Sequence, residues 1–553
     1  MSVQATFCAT LVDEWARLGV TDAVICPGSR STPLVLPLAQ RLRTHVRLDE
    51  RSAAFYALGL AKATRRPVLV CVTSGTAAAE LHPAVVEAHH ARVPLVVCTA
   101  DRPPELHHTG ASQTIEQGRL FTVEARWCSN PGVPAAGEET KWRPLAERVV
   151  AESLHGQSGP GPVHLNLAFR EPLAETPGNL PPRADTSPAG EGRPVPMASS
   201  IPLEGRGIIV AGGPSFGDAD PEHVVAFAAR LGWPLLADPL SRCRVAGTIA
   251  AADAIVRAQA PLPDVVVSLG APWLSRALGE YVAKAAAAGS RIVVVDPWRQ
   301  RPDPLRVATE FVHAHAHAWL SAAADDGTPA DPAWLAAWQS MEERAQGALD
   351  EVLSSELSEP AVARALHRYA ATADAAVVVS ASMPIRDLEW YAPALPVPPC
   401  VLANRGANGI DGVVSTALGV AAAKTSSRTL AFLGDLAFLH DVSGLVNMPE
   451  VPCTFVVVDN GGGGIFSFLP QANVLAQQSF ETLFATPPTS DLSAVARGFG
   501  LPVEEVTKLS ELEPALAQAP PAPALVRVRV PSRRDNVAVH DAINQAVRRA
   551  LSP

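Results

Sequence analysis

The sequence lacks several features that would indicate other classes of protein. Its eight cysteines are scattered without paired spacing, a pattern typical of reduced thiols in a cytosolic protein rather than of a disulfide framework. No apolar run is long enough to span a membrane. The stretch around Asp13 and Glu14 is polar and acidic, unlike a signal peptide. We therefore expect a cytoplasmic protein that does not insert into membranes.

An excess of positive charge is also missing. The formal net charge is −10 at pH 7, so composition provides no electrostatic basis for binding nucleic acid. An anionic small molecule would need a local cluster of arginines. The chain has 553 residues, of which 48% are hydrophobic and 18% charged. This composition is typical of a globular protein, and the length suggests about three domains.

Two stretches rich in small residues and proline divide the chain. Residues 171–204 and 322–333 read as linkers. The segments around them alternate between helical patterns and short apolar runs, which predicts an α/β fold with mostly parallel sheets flanked by helices. We expect a first domain over residues 1–180, a linker and central α/β domain over 181–340, and a third domain over 341–553.

The most informative segment begins with Gly434, Asp435 and Leu436, and Asn460 follows 25 residues after Asp435. Each half comes directly after an apolar run that reads as a buried parallel strand. Asp435 and Asn460 should therefore lie at carboxyl ends of strands, where open α/β sheets bind ligands. A carboxylate, an amide oxygen and a free glycine carbonyl would suit Mg²⁺ completed by phosphate oxygens.

This segment resembles the thiamine diphosphate motif, which opens with Gly-Asp and closes with Asn. Leu436 stands where the motif usually has a third glycine, and Asp459 precedes Asn460 in place of an asparagine. With the Asn-Gly-Gly and Ile-Phe-Ser that follow, it is similar to the 2-succinyl-5-enolpyruvyl-6-hydroxy-3-cyclohexene-1-carboxylate synthase (MenD) family. The alternative is a βαβ unit with an aspartate at a turn and a flexible glycine loop.

The resemblance implies a pyrimidine-binding first domain and a diphosphate-binding third domain. It also implies a set of cofactor contacts: Glu50, Ser74, Gly75, Ser382, Ile410, Gly434, Asp435, Leu436, Asn460, Gly462, Gly463, Ile465 and Phe466. In this set Ile410 would prop the cofactor in a bent conformation, a role suited to a β-branched side chain with few rotamers.

Glu50 is the residue to which the resemblance assigns catalysis. In thiamine enzymes a carboxylate hydrogen-bonds the aminopyrimidine ring and drives its imino tautomer. That role needs an acid whose proton affinity is raised by burial, and the small-residue helix after Glu50 would supply an apolar setting. The alternative is a helix-start glutamate that is favoured by the macrodipole.

The resemblance also implies that a set of polar residues contacts the substrates. These are Ser29, Arg30, Arg102, Gln113, Arg276, Ser382, Arg386 and Arg405. Ser275 replaces the lysine of a family Lys-Arg pair, which weakens the inference for Arg276. A guanidinium group can bind a planar carboxylate through two parallel hydrogen bonds. Four arginines that converge on one site would therefore suit dicarboxylate substrates, and these four are Arg30, Arg102, Arg386 and Arg405.

The activity that the resemblance implies is decarboxylation of 2-oxoglutarate and addition of the resulting succinyl carbanion to isochorismate, in menaquinone biosynthesis. Thiamine diphosphate would perform the carbanion chemistry. The family's cofactor bridges two subunits, so a homodimer or homotetramer with interfacial active sites is implied. Two alternatives stay open: another thiamine enzyme, such as acetolactate synthase or a 2-oxoacid decarboxylase, and a catalytically inactive scaffold that binds partners.

Overall fold

The computed structural model describes residues 2–183, 201, 203–213, 220–298 and 300–552. Most of the predicted linker 171–204 lies outside the described residues. The chain divides into two compact units by its contacts. The first comprises Met1–Pro194, Asn404–Thr425 and His440–Val451, and the second comprises Val195–Ala403, Ser426–Leu439 and Pro452–Pro553.

The secondary structure alternates between strands and helices. The strands are β1 Asp22–Ile25, β2 Arg43–Val46, β3 Val68–Val72, β4 Leu95–Asp101, β5 Trp127–Ser129, β6 Pro162–Ala168, β7 Gly207–Ala211, β8 Leu235–Ala237, β9 Val265–Leu269, β10 Arg291–Val295, β11 Glu310–Val312, β12 Ala375–Val379, β13 Val401–Ala403, β14 Arg428–Gly434, β15 Cys453–Asp459, β16 Val503–Val506 and β17 Ala524–Arg529. The helices are α1 Val3–Arg17, α2 Thr32–Arg41, α3 Glu50–Thr64, α4 Thr76–Ala79, α5 His82–Ala91, α6 Glu139–His155, α7 Pro221–Leu231, α8 Ala252–Arg257, α9 Arg276–Ala287, α10 Ala316–Asp326, α11 Pro332–Leu353, α12 Glu359–Thr372, α13 Met383–Tyr391, α14 Val413–Ala423, α15 Asp435–His440, α16 Gln471–Val474, α17 Gln477–Phe480, α18 Leu492–Gly498, α19 Leu509–Gln518 and α20 Arg533–Leu551.

The first unit is built on a six-stranded sheet in the order β2-β1-β3-β4-β6-β5, with every pairing parallel. Its central strands β3, β4 and β6 are buried at every residue. Apolar residues of these strands form one core with the buried faces of α1 and α6, around Trp15 and Trp142. Parallel strands buried on both faces explain the continuous apolar runs of the sequence.

Helix α14 also belongs to the first unit and packs closely on α3. A Cβ atom added at Gly59 of α3 would lie 2.1 Å from the carbonyl oxygen of Thr416, and one added at Gly419 of α14 would lie 2.1 Å from that of Tyr56. Two glycines therefore let the two helix backbones approach each other more closely than any other residue would allow.

The second unit contains two parallel sheets. Five strands are ordered β11-β10-β9-β7-β8, and six are ordered β13-β12-β14-β15-β17-β16. The fully buried Arg244 links β8 to α13, since its Nε donates to the carbonyl of Ala237 (2.8 Å) and its Nη2 to that of Glu389 (2.9 Å). Glu389 lies in α13, so this arginine helps to hold the helix that carries Arg386.

The fold class predicted from the sequence is confirmed, because all three sheets are parallel and flanked by helices. The sheets span residues 22–168, 207–312 and 375–529, one inside each predicted domain. The domain boundaries near residues 180 and 340 stay predictions. The second predicted linker, residues 322–333, is wrong at both ends. Helix α10 continues to Asp326 and α11 begins at Pro332, because the alanines before Asp325 favour helix.

None of the helices in the described part of the chain combines the length and the apolar character needed to cross a bilayer. The eight cysteines are all free, and six of them are buried.

Candidate cofactor and substrate sites

Asp435 and Asn460 follow two neighbouring strands. Asp435 is the first residue of α15, directly after β14, and Asn460 directly follows β15. The two strands pair in parallel, with Gly434 opposite Val458. This register brings Asp435 and Asn460 to the same edge of the sheet, as the apolar runs of the sequence predicted.

The Asp435 carboxylate is 2% exposed and is held by backbone donors. The amide of Leu436 donates to Oδ1 and the amide of Gly462 to Oδ2, each at 2.7 Å. Burial raises the pKa of Asp435 to about 6, and nearby Asp459 adds to the rise while Arg533 opposes it. A positive ion beside this carboxylate would offset the cost of burying its charge.

The two polar atoms of the Asn460 side-chain amide differ in their hydrogen bonding. Its Nδ2 donates to Oε1 of Glu359 at 2.8 Å, whereas Oδ1 is buried and has no hydrogen-bond partner within the described part of the chain. Such an acceptor calls for a ligand, and oxygen donors of this kind suit Mg²⁺. Among the described residues, no group of three or more His, Cys, Asp or Glu could hold a metal ion. A cation here would thus take few protein ligands and leave positions for phosphate oxygens.

The glycine loop after Asn460 adopts a backbone that other residues rarely adopt. Gly461 and Gly462 have φ values of +77° and +128°, and a Cβ atom at Gly462 would lie 2.3 Å from the carbonyl oxygen of Ala485. Gly463 donates its N–H to that same oxygen at 2.7 Å. The loop conformation that could receive a diphosphate therefore depends on glycine.

The remaining predicted cofactor residues of this segment flank the loop. Ile465 and Phe466 lie in a short 3-10 turn over Gly464–Phe468, and the Phe466 ring packs edge-on against Phe484 at 5.6 Å. A Cβ atom at Gly434 would meet no heavy atom of the described residues within 4 Å, so these residues leave space beside the end of β14.

Ser382 and Arg386 lie together after β12. Ser382 immediately precedes α13 and has a φ of +74°, which is uncommon for a residue with a side chain. The Nη1 of Arg386 donates to the Ser382 carbonyl at 2.6 Å. Strained conformations of this kind persist where the surroundings impose them and often occur at ligand sites.

In the first unit, Arg30 and Arg102 influence each other. Arg30 is 9% exposed and donates to the carbonyl of Phe169 at 3.0 Å, and Arg102 donates to Oγ of Ser74. Burial lowers the pKa of the Arg102 guanidinium, and the charge of Arg30 lowers it further. Glu171, whose side chain is 75% exposed, lies 3.4 Å from Arg30, and the charges of Asp101 and Glu171 partly offset the lowering of the Arg102 pKa. An anion between them would relieve their repulsion.

Ser29, Gly75 and Gln113 lie on the loops next to these arginines. Ser29 is exposed and its carbonyl accepts the Thr32 N–H (3.1 Å) at the start of α2. Gln113 has a φ of +53°, and a Cβ atom at Gly75 would lie 3.4 Å from it. The structure thus brings the predicted Gly75 and Gln113 together.

Glu50 is the first residue of α3 and is half-buried. The preceding Asp49 caps the helix by accepting the Ser52 N–H at 2.8 Å. Burial raises the pKa of Glu50, and repulsion from Asp49 and Glu80 contributes, although a backbone hydrogen bond opposes the shift. This is the direction required of a carboxyl group that takes up and returns a proton near neutral pH.

Arg405 and Ile410 lie on the loop before α14, which a buried carboxylate anchors. Glu87 of α5 is 2% exposed and accepts the N–H groups of Gly406 (3.0 Å) and Ala407 (2.7 Å). Glu87 was not predicted from the sequence, because a glutamate on an otherwise ordinary helix has no motif that reveals a partner 319 residues away.

A second missed group ties together the loops that carry Gly75 and Arg102. The buried Gln117 accepts the Gly75 N–H (3.2 Å) and donates to Asn166 (2.8 Å), which in turn donates to Asp101 (2.8 Å). Asp101 accepts the Arg102 N–H at 2.7 Å. These buried amides are fully paired with each other, so they fix the ends of three strands relative to one another.

Arg276 is placed differently from the other predicted arginines. It is the first residue of α9, its side chain is 90% exposed, and it pairs with Glu280 at 2.7 Å. Ser275, in the position of the family's lysine, caps the same helix by accepting the Leu278 N–H at 3.0 Å. The predicted substrate contact of Arg276 stays a prediction.

Three family models match the chain in succession. They are described as the N-terminal TPP binding domain of thiamine pyrophosphate enzymes, over residues 5–120, the middle domain of thiamine pyrophosphate enzymes, over 200–377, and the C-terminal TPP binding domain, over 390–528. Asp435, Asn460 and the glycine loop fall in the region matched by the C-terminal model, whereas Ser382 and Arg386 lie between the regions matched by the middle and C-terminal models.

Curated relatives match over almost the full length. A 2-succinyl-5-enolpyruvyl-6-hydroxy-3-cyclohexene-1-carboxylate synthase from Thermobifida fusca is 43% identical, with 99% of this chain and 100% of the relative covered. Proteins of the same name from Myxococcus xanthus and Lysinibacillus sphaericus are 41% and 36% identical, over 88% and 96% of this chain and 87% and 95% of their own lengths. The chain therefore belongs to the 2-succinyl-5-enolpyruvyl-6-hydroxy-3-cyclohexene-1-carboxylate synthase family of thiamine diphosphate enzymes.

Proposed function

We propose that this protein decarboxylates 2-oxoglutarate and adds the resulting succinyl unit to isochorismate, giving 2-succinyl-5-enolpyruvyl-6-hydroxy-3-cyclohexene-1-carboxylate and CO₂ in menaquinone biosynthesis. The observation that carries this proposal is the 43% identity over 99% of the chain to a synthase of that name. The neighbouring Arg30 and Arg102 support it, because they suit a substrate with more than one carboxylate. A small-2-oxoacid enzyme such as acetolactate synthase would not need this cluster.

Thiamine diphosphate is the cofactor of this family, and when bound it supplies the electron sink for breaking and forming the carbon–carbon bonds. We propose that Asp435, Asn460 and the Gly462 carbonyl hold Mg²⁺ or Mn²⁺, and that the glycine loop receives the diphosphate. The orphaned Oδ1 of Asn460 and the buried Asp435 support this assignment. Ser74, Gly75, Ser382 and Ile410 would complete the cofactor contacts with Gly434, Leu436, Gly463, Ile465 and Phe466.

Glu50 would hold a proton in exchange with the aminopyrimidine ring. Its half-buried position and raised pKa support that role.

Arg386 and Arg405 would bind mainly the carboxylates of 2-oxoglutarate, whereas Arg30 and Arg102, with Ser29 and Gln113, would bind mainly those of isochorismate. The shared positive field of Arg30 and Arg102 supports placing one anion between them.

Glu50 belongs to the first unit and Asp435 to the second. We propose that the active site forms between subunits of a homodimer or homotetramer, as the resemblance implied.

We also propose a cytoplasmic location. The free and mostly buried cysteines, which suit a reducing compartment, support it.

The experiment that tests the function is incubation of the purified protein with thiamine diphosphate, Mg²⁺, 2-oxoglutarate and isochorismate, followed by mass analysis. We expect the named product and CO₂ in equal amounts. Pyruvate replaces 2-oxoglutarate in a parallel reaction. Turnover with pyruvate in preference to 2-oxoglutarate would instead support the rival class of thiamine enzymes.

A further inference from the structure

Two groups outside the cofactor motif hold the Asn460 side chain in place. Its Nδ2 donates to Oε1 of Glu359 at 2.8 Å, although Glu359 precedes it by 101 residues in the chain. On another side, a Cβ atom added at Gly464 would lie 2.5 Å from the same Nδ2. The amide nitrogen therefore fits between a carboxyl group and a glycine that leaves just enough room for it.

The carboxyl group also determines which way the amide points. A side-chain amide has its donor on one side and its acceptor on the other. Because Oε1 of Glu359 accepts from Nδ2, Oδ1 must face the opposite direction. That oxygen is buried and has no hydrogen-bond partner among the described residues.

Glu359 is well fixed for this purpose. It is the first residue of α12 and is 2% exposed. The helix is capped by Ser358, whose Oγ accepts the Ala361 N–H at 3.4 Å. The cap fixes the backbone that carries the Glu359 carboxyl group, and burial restricts the movement of its side chain.

We propose that Glu359 is a positioning residue for the metal site, which turns Oδ1 of Asn460 toward the divalent cation. This inference rests on the proposed function, and specifically on its metal site. Partners that orient metal ligands typically contribute about 10- to 100-fold to metal affinity. The role requires only a hydrogen-bond acceptor at Oε1, not a negative charge.

The test measures Mn²⁺ binding to the full-length protein in saturating thiamine diphosphate. Binding is detected as the decrease of the free Mn²⁺ signal in electron paramagnetic resonance. We expect Glu359→Ala to weaken Mn²⁺ binding about 10- to 100-fold. Glu359→Gln keeps an acceptor and should stay within about threefold of wild type. Wild-type affinity in Glu359→Ala, or equal losses in both variants, would overturn the inference.

A second variant serves if Glu359→Ala does not fold. Gly464→Ala pushes a methyl group against Nδ2 from the other side and should also weaken Mn²⁺ binding at least about tenfold. Its control is Gly498→Ala, where an added Cβ meets nothing within 4 Å, and there binding should not change. Wild-type affinity in Gly464→Ala would count against the inference. A wild-type protein that binds no Mn²⁺ would overturn the proposed cofactor site itself, and this inference with it.

Discussion

Buried carboxyl groups of this protein fall into two kinds at the scale of single residues. Asp22 is 1% exposed and accepts hydrogen bonds from Arg43 (2.6 Å), His45 (2.8 Å) and Thr21 (2.8 Å). Burial opposes its ionisation, but these partners outweigh burial and hold the pKa of Asp22 at about 2. Asp435 lacks comparable compensation and its pKa rises to about 6. The first carboxyl group stabilises the fold, and the second is available for a ligand.

Asp22→Asn should lower the free energy of unfolding by about 2 kcal/mol near neutral pH. The folded pKa is depressed, so the stabilisation is complete above the unfolded value of about 4 and disappears as the pH falls through about 2. Urea unfolding at several pH values would measure it. The difference between variant and wild type should shrink as the pH falls below about 4. The exposed Glu513→Gln serves as control, and a gap that persists at low pH would contradict the assignment.

Glu50→Gln should abolish turnover while leaving the fold intact. An amide cannot take up and return the proton, and such groups typically contribute about 10²- to 10⁴-fold to rate. Hydrogen–deuterium exchange at the thiazolium carbon of bound thiamine diphosphate, followed by NMR, measures the effect directly. The cofactor should still bind. Exchange at the wild-type rate in the variant would show that Glu50 does not have this role.

At the scale of elements, the contact between α3 and α14 connects Glu50's helix to the loop that carries Arg405 and Ile410. The contact depends on the close approach at Gly59 and Gly419. Since Glu87 anchors the same loop from α5, three helices determine where that loop lies.

Gly419→Ala should destabilise the first unit by about 3 kcal/mol, because the new methyl group would lie 2.1 Å from a backbone oxygen that cannot move aside. The control is Gly347→Ala in α11, where an added Cβ meets nothing within 4 Å. That change should stabilise its helix by about 0.5–1 kcal/mol. Thermal unfolding of both variants checks the pair, and equal effects would mean that the helix contact tolerates a methyl group.

The longer elements could be predicted from the sequence, and the shorter ones could not. The apolar runs before Asp435 and Asn460 predicted two buried parallel strands, and the seven-residue strands β14 and β15 lie there, since buried parallel strands carry a continuous signal. The edge strands β2 and β5 have four and three residues without such a run. For the candidate site, motif residues such as Asp435 could be found, whereas Glu359 acts through a contact between distant parts of the chain, which sequence spacing does not reveal.

At the scale of the whole molecule, the residues that we propose bind the substrates and the metal ion are distributed over both units. Arg30, Arg102 and Arg405 belong to the first unit, and Arg386 and Asp435 to the second. The proposed division of the arginines between the two substrates does not follow the two units, since Arg405 and Arg386 are both proposed for 2-oxoglutarate.

Arg30→Ala should raise the Michaelis constant mainly for isochorismate, and Arg386→Ala mainly for 2-oxoglutarate. A charge-assisted hydrogen bond to a buried carboxylate contributes about 1.5–3 kcal/mol, which corresponds to roughly a ten- to hundredfold change. Steady-state kinetics with each substrate varied in turn provides the measurement. Equal increases for both substrates in both variants would leave a single shared anion site in place of the proposed division.

Thiamine diphosphate with Mg²⁺ should raise the thermal stability of the wild-type protein, by about 2.7 kcal/mol at a hundredfold excess over the dissociation constant. Asp435→Ala should lose this gain, because it removes the charged metal ligand. Differential scanning calorimetry of both proteins, with and without cofactor, tests the prediction. A stabilisation by the cofactor that decreases when the protein is diluted would support a site shared between subunits. An unchanged stabilisation of Asp435→Ala would rule out the metal role of Asp435.

The pairing of β14 with β15 has a consequence for how this chain can change in length. Lateral hydrogen bonds set Gly434 opposite Val458, so Asp435 and Asn460 are spaced by the strand register and not by the count of residues between them. Insertions between the two strands, in a surface turn, should leave the ion's ligands where they are. A single-residue deletion inside β14 would instead turn the side chains that follow it within the strand to the opposite face of the sheet. Protein engineers could thus lengthen the connection near the exposed Glu450, away from the buried Asp441, while treating each strand as an indivisible unit.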